Sequence, residues 1–337
     1  MILAAGLLVL LLGGGGLGLY WLWAADQVAA AVERWTLEQR ARGYDVRYGG
    51  PRIGGFPVRL TVRFTEPRVV SPRGWRWSGR EIGGEAAFWA PRTLRLDLPR
   101  KQVIAAAWRG HSRRVAVDAE AARGLVRLAP NGRVRTATVE MRDLTLRGES
   151  GWTAHAARVR ADLAARPAPI QGTEDGTLAL AGEATGVTVP DAAGGPFGAT
   201  IERLAVEIRV IGAIPSGEAA QALAQWRDRG GLLEVDELDL RWGPLEVKAE
   251  GSGGLDEALR PQGAFDARIR GLPETIDALA ARGLIKAGGA LAIKMTVLAL
   301  SRTEDGDARP VIALPVTLRN GLMYLGPVAL FSVGPVL

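Results

Sequence analysis

From Tyr44 onward the chain alternates apolar and polar residues with a period of two, and this limits it to antiparallel sheet more firmly than any other feature. Val58, Leu60, Val62 and Phe64 point one way, while Arg59, Thr61, Arg63 and Thr65 point the other. Leu94, Leu96 and Leu98 alternate with Arg95 and Asp97 in the same manner. Similar runs follow at 115–117, 125–128, 134–147, 156–163, 178–189 and 201–210. Strands with one apolar and one charged face belong to antiparallel sheets wet on one side. Pro and Gly punctuate them at short intervals, as in Thr65-Glu66-Pro67 and Pro130-Asn131-Gly132, without helices between. A meander follows, and the pattern argues against a parallel sheet.

Helices enter only later. Residues 216–230 read as a helix, with Ser216 as N-cap and Ala219, Leu223 and Trp226 on its apolar face. Residues 273–282 read as a short one, opened by Pro273 and closed by Gly283. Residues 290–300 fit a helix through Leu291, Met295 and Leu298 and a strand through Ile293, Thr296 and Val297; the reading leans to helix. Strands return at 232–242 and 245–251, joined by Gly243-Pro244, and 311–319 with 322–325 form a hairpin around Asn320-Gly321. Residues 167–176 and 190–198 are expected to be loops. The uncharged tail 331–337 has to be buried or to lie on a partner.

Met1 to Trp23 holds no charged side chain. Twenty-three residues at about 1.5 Å each exceed the roughly 30 Å of hydrocarbon in a bilayer, so the segment can span one. Tyr20, Trp21 and Trp23 stand at its C-terminal edge, where an interfacial aromatic belt belongs. Trp23, three before Asp26, is a poor residue for signal cleavage, so an uncleaved anchor is expected. Residues 26–42 then read as an amphipathic helix with Val28, Val32 and Trp35 on one stripe and Gly43 as its stop.

The net charge of +6 hides a split: residues 40–170 carry 26 basic and 11 acidic side chains, residues 171–337 carry 15 and 22. A basic half beside an apolar segment points to lipid headgroups as the nearest polyanion. Arg outnumbers Lys throughout, which genome composition alone can explain; the reversal of sign is not explained that way.

Chemistry is scarce. The chain has no Cys and two His, which removes disulfides, thiolate metal sites and Cys nucleophiles and leaves little for His-based triads. No nucleotide-binding Gly-rich loop and no Gly-x-Ser-x-Gly elbow occurs. His111 and His155 read as a surface and a packing residue. Glu234, Asp236, Glu237 and Asp239 cluster, but nothing local makes their oxygens converge, and a solvated strand face is the expectation. By strict alternation Glu237 and Asp239 share a face with Val235, and Leu238 and Leu240 lie opposite. Trp75 and Trp77, beside Arg73 and Arg76, could stack bases or sit at a lipid interface, but core filling is the first reading for most Trp. No catalytic residue, metal or cofactor is expected, the chain is not expected to be an enzyme, and nucleic acid is the poorer partner for an anchored chain.

Four motifs in order carry a family resemblance: Gly54-Gly55-Phe56-Pro57 running into the alternating 58–64; Leu238 to Leu245, containing Trp242-Gly243-Pro244, followed by Ala249-Glu250-Gly251; Pro261-Gln262-Gly263 leading to Ile269-Arg270-Gly271; and Asn320-Gly321 with Leu325-Gly326-Pro327. Together they resemble a family of single-span Gram-negative envelope proteins known as a domain of unknown function, and the later part looks like the AsmA-like envelope proteins. The resemblance implies an inner-membrane anchor, a periplasmic soluble part and a long curved sheet whose apolar face conducts lipid. The expectation is thus a mainly β (α+β) chain: a transmembrane anchor at 1–23, an amphipathic linker helix at 24–43, then a curved antiparallel sheet with a few short helices. A basic part at 44–166 and an acidic part at 167–337 share that sheet. Val58, Leu60, Val62, Phe64, Leu94, Leu96 and Leu98 are the candidate lipid-lining residues, an ordinary sealed core being the competing reading. The expected role is to bind or transfer membrane lipid or assist envelope assembly; the alternative is a scaffold docking an envelope protein through its acidic half.

Overall fold

The computed structural model describes residues 2–72, 74–108, 111–166, 177–188, 197–213, 215, 218–283, 295, 311–326 and 328–336, with side chains from Trp21 onward except at 107–108, 111–112, 166, 325 and 328–331. It is mainly β, with antiparallel neighbours throughout the described residues, and falls into two compact units, Met1–Thr153 and Ala154–Leu337. The change of charge sign near residue 167 falls inside the second unit. The expected helix at 290–300, the cap Ser216, the loop at 167–176 and Pro327 lie outside the described residues.

The first unit opens with helix α1 (Ile2–Ala41). The segments expected as anchor and linker lie in one uninterrupted helix, since no Pro or helix-stopping Gly separates them before Gly43, whose φ of 85° ends it. Its buried stripe also differs from expectation: Thr36 is 4% exposed and Trp35 is 49% exposed. Thr36 follows Val28 and Val32 at strict i+4 spacing, and its hydroxyl bonds both the Val32 carbonyl (2.8 Å) and the Tyr48 hydroxyl (2.9 Å).

Eight further segments build a meander: β1 (Asp45–Gly54), β2 (Arg59–Val70), β3 (Arg76–Gly79), β4 (Glu81–Ala87), β5 (Ala90–Asp97), β6 (Lys101–Trp108), β7 (His111–Asp118) and β8 (Ala121–Leu128), closed by β9 (Val134–Gly148). The pairs β3/β4, β5/β6 and β7/β8 are long strands interrupted midway. β2 pairs β4 through Thr65↔Glu81 and β3 through Arg68↔Ser78; β9 likewise pairs β8 through Ala121↔Arg142 and β7 through Asp118↔Thr145. The interruptions align across the sheet, linked by hydrogen bonds from Glu66 N to Arg80 O (2.8 Å), Ala119 N to Arg100 O (2.9 Å) and Glu120 N to Arg142 O (3.1 Å). At the two outer ends of the line Glu66 and Asp143 adopt φ of 47° and 48°.

Along this line the apolar spacing changes from two residues to three: Phe64 to Pro67, Gly79 to Ile82, Ala119 to Ala122, Met141 to Leu144. A strand bulge absorbs one extra residue and keeps apolar side chains on one face, at the cost of a local bend. The buried residues gather there: Val117, Ala119, Ala122 and Leu144 are each under a tenth exposed. Gly79 has no room for a side chain, since a Cβ would stand 2.5 Å from the Pro99 ring.

The second unit is a second meander: β10 (Thr153–Arg166), β11 (Thr177–Thr188), β12 (Thr200–Ile211), β13 (Leu232–Trp242), β14 (Leu245–Leu255), β15 (Pro261–Arg270), β16 (Val311–Arg319), β17 (Leu322–Leu325) and β18 (Val328–Ser332). Each strand pairs with the next. Helix α2 (Ala219–Asp228) lies between β12 and β13, starting later than expected, and α3 (Leu272–Ala281) follows β15. Trp226 of α2 is 4% exposed, donates to the Ile211 carbonyl (3.0 Å) and covers Gly231, where a Cβ would lie 2.3 Å from the indole. Ile276 of α3 buries against Ile312 with Leu272, Ala280 and Leu314 around them. The Asn320-Gly321 hairpin forms as expected, both residues at positive φ. The tail is part of the sheet: β18 pairs β17, and Val333 N and Val336 N donate to the carbonyls of Gly321 and Leu259.

Candidate functional site

In the first unit, cross-strand pairing puts the candidate lining residues on one face. Leu60, Val62 and Phe64 of β2 stand opposite Ala86, Gly84 and Ile82, and Gly84 stands opposite Leu96 of β5. A Cβ on Gly84 or on Gly124 would touch Leu96 at 3.4 and 3.1 Å, so Leu96 overlies the glycines on either side. Leu60, Val62, Phe64, Leu94, Leu96 and Leu98 are all partly buried. Leu98 falls in the interruption between β5 and β6, its N–H bonded to the Ala122 carbonyl. Val58 is separate from the group, in the turn before β2 and 45% exposed. Tyr48 edges onto Phe64 (centroids 5.0 Å apart) and so joins the face to Thr36 of α1.

The second unit carries a broader face of the same kind. Leu163, Leu180, Ile208 and Val235 are direct neighbours across β10 to β13, and Gly182, Val206, Leu238 and Ala249 across β11 to β14. Most of these side chains are only partly buried, and Leu204 is 39% exposed. Among the described residues two helices lie against this sheet: α3 seats on Ile312 at the β14–β16 end, and α2 packs its buried Trp226 over Gly212 and Gly231 at the β12–β13 end. Strict alternation misplaced part of this face. A bulge at Asp236-Glu237 turns Leu238 and Leu240 back to the side of Leu233 and Val235, because Ile208 pairs Val235 while Glu207 pairs Glu237.

The opposite face is a lattice of ion pairs. Arg209 holds Asp236 (Nε–Oδ2 2.6 Å) and Glu234 (2.8 Å), and the Asp236 hydrogen bond keeps its guanidinium above the ordinary arginine range. Arg203 reaches Glu183 (3.5 Å) and Asp239 (3.7 Å), and Arg241 reaches Asp239 from the other side (3.7 Å). Asp239 is only 3% exposed, so the acidic cluster is not simply a solvated face: Arg203 of the neighbouring strand and Arg241 of its own strand hold it. Among the described residues no three His, Asp or Glu side chains stand together as a metal site would need. On the polar side of the first unit, Arg68, Arg76, Arg80 and Arg114 with Glu66 line an open hollow of about 760 Å³.

The family-like motifs occupy turns where chains touch. Gly243 (φ 56°) has the Phe197 carbonyl oxygen 2.1 Å from where a Cβ would be, and Gly271 (φ 70°) has the Pro244 carbonyl oxygen at 1.7 Å. Trp242 donates to the Gly198 carbonyl (3.0 Å) and edges onto Phe197 (5.1 Å). Gly326 (φ 57°) donates to the Pro315 carbonyl. Gly55 (φ 95°), Phe56 and Pro57 form the β1–β2 turn, and this turn meets α1: Trp21 Nε1 donates to the Arg59 carbonyl (2.9 Å), and its ring stands edge-on to Phe56 (5.8 Å). Trp23 is 58% exposed, and the side chain of Tyr20 lies outside the described residues. Of the tryptophans expected to fill cores, Trp226 does; Trp35 and Trp89 are 49% and 75% exposed, and Trp75 at 38% rests on Tyr44. The Phe88-Trp89 turn, where Trp89 is exposed and Phe88 half-buried, was missed by sequence reading, although two adjacent aromatics between strands were a visible signal. Among the described residues no helix is long and apolar enough to cross a membrane, and the side chains of 1–20 lie outside them.

No curated protein and no solved structure matches this chain. One family model does, that of an uncharacterized protein conserved in bacteria (DUF2125), over residues 21–333, from the tryptophan that seats the β1–β2 turn to the end of β18. Covering nearly the whole chain, that match makes it a member of the DUF2125 family.

Proposed function

We propose that this is a non-enzymatic, inner-membrane-anchored protein whose soluble part lies in the periplasm, where it binds membrane lipid along its apolar sheet faces and so assists envelope assembly or lipid transfer. The observation that carries the reading is the face of the second unit, where Leu, Ile and Val continue from strand to strand while staying partly exposed. Large contiguous apolar patches on soluble proteins mark interaction sites. The four alternating positions from Leu178 to Ala184 span about 20 Å of strand, longer than the roughly 15 Å depth of one leaflet's hydrocarbon. An acyl chain laid along a strand therefore fits. The uncharged run 1–23 and the basic first half support the same reading.

Native mass spectrometry of the full chain after gentle detergent extraction tests it. Retained phospholipid or lipid A is the expected result. A lipid-free mass, together with no uptake of a fluorescent fatty acid, would sink the lipid reading and leave the scaffold reading, in which the distal half docks an envelope protein.

A further inference from the structure

Three turns share one edge of the first unit. Arg59 pairs Ala87, Ala87 pairs Ala90, and Thr93 pairs Arg127, so the β1–β2 turn (55–58), the β4–β5 turn (88–89) and the β8–β9 turn (129–133) follow one another along that edge. Trp21 fastens the edge to α1 through the Arg59 carbonyl and the ring of Phe56, five residues before the first charged side chain of the helix, Asp26. Two of the three tips are apolar and exposed: Phe56 is 58%, Val58 45% and Trp89 75% exposed, with Leu22 of α1 at 61%; the third, Pro130-Asn131-Gly132-Arg133, is exposed and polar. Behind the tips comes a basic tier. Residues 55–63, 86–95 and 126–139 hold seven Arg and no Asp or Glu. Glu85, at the rear of this tier, pairs both Arg59 (3.5 Å) and Arg95 (3.6 Å), and Arg63 pairs Glu81 (3.9 Å). The tier stays in cationic excess, with Arg59, Arg63 and Arg95 each more than half exposed.

Aromatic tips backed by arginine, at the height where an apolar helix meets its first charges, match the layering of a bilayer surface: rings at headgroup level, cations among the phosphates. We propose that this edge is a membrane-docking platform: Phe56, Val58 and Trp89 enter the interface of an anionic phospholipid bilayer, and Arg59, Arg92, Arg95 and Arg127 engage its phosphates. The proposal rests on the reading of residues 1–23 as a span in that same bilayer. It gives the β1–β2 turn a task beyond joining strands: through Trp21 it sets the height of the sheet above the membrane.

The chain has no Cys, so single cysteines can report position directly. Full-length variants Phe56→Cys, Trp89→Cys, Leu12→Cys and Glu149→Cys are labelled with an environment-sensitive fluorophore and reconstituted into phosphatidylcholine–phosphatidylglycerol vesicles carrying nitroxide-labelled lipids. Glu149 serves as reference, since its turn lies on the side of Arg114, away from the platform. The platform requires severalfold stronger quenching at 56 and 89 by headgroup-proximal nitroxides than at 149. Quenching at 12 without quenching at 56 and 89 overturns the platform and leaves the anchor standing. Quenching at 56 and 89 without quenching at 12 upholds the platform and removes the anchor. With none of 12, 56 and 89 quenched, both fail.

Discussion

Asp256 shows how much one side chain can organise. It opens the β14–β15 turn: Oδ1 accepts from the N–H groups of Ala258 (2.9 Å) and Arg260 (2.8 Å), and Oδ2 accepts from Arg260 Nε (2.7 Å). The Arg260 N–H above all holds its carboxyl below the ordinary 3.8. The stabilisation from a carboxylate with a depressed pKa is fully present above the unfolded value and disappears as pH falls through the folded one. Asp256→Asn should therefore lower Tm at pH 7, and the gap to the parent should close below about pH 4; thermal scans from pH 7 to 3 check this, and a gap constant with pH would show that the charge contributes nothing. Asp239 acts through burial instead. Removing it leaves Arg203 and Arg241 facing each other across one site, so Asp239→Ala should cost about 1–3 kcal/mol, read by urea denaturation. From the sequence this residue looked like one acid among several, because alternation shows which residues share a face and is silent on how deeply a face is covered.

At the scale of elements, the aligned bulges decide how the first sheet is built. Glu66 and Asp143 hold its outer ends at positive φ, a conformation that costs a non-glycine residue roughly 1–2 kcal/mol. Glycine would relieve that strain while losing about 0.5–1 kcal/mol to the greater freedom of the unfolded chain. Glu66→Gly and Asp143→Gly should therefore leave Tm nearly unchanged, whereas Val at either position should lower stability by about 1–2 kcal/mol. Equal Tm values for the Gly and Val variants would mean that the bulges do not hold these residues at positive φ. Period-two reading found strands on both sides of this line, at 58–64, 94–98, 115–117, 125–128 and 134–147, but marked none at β1, β3, β4 or β6. It could not see that the line was shared, since a step from two to three in one strand looks like an ordinary break. Only cross-strand register shows that the steps at 64–67, 79–82, 119–122 and 141–144 are neighbours. The same limitation put Leu238 on the wrong side of β13, while the Gly243-Pro244 and Gly271 motifs were visible as spelling before their contact explained them.

At the scale of the whole molecule, the question is whether each apolar face is sealed or open, and two positions in the second unit separate the cases. Ile312 is 2% exposed beneath α3 and represents a sealed site. Leu180 sits between Leu163 and Ile208 on the same face and is only partly buried. A carboxylate placed in a closed apolar site has neither water nor partner and costs more than about 4 kcal/mol, so Ile312→Asp should abolish the cooperative melt. At an open site the carboxylate keeps water, and the loss reduces to the contacts of one leucine, about 1–2 kcal/mol. Leu180→Asp should then melt only some 2–8 °C lower, while the lipid retained in native mass spectra falls sharply, because an acyl chain would have to dehydrate the new charge. If Leu180→Asp is as damaging as Ile312→Asp, the face is core, and lipid cannot be its occupant. A modest drop in Tm with unchanged lipid would confine cargo to the first unit, and Leu60→Asp and Phe64→Asp would then be the substitutions that release it.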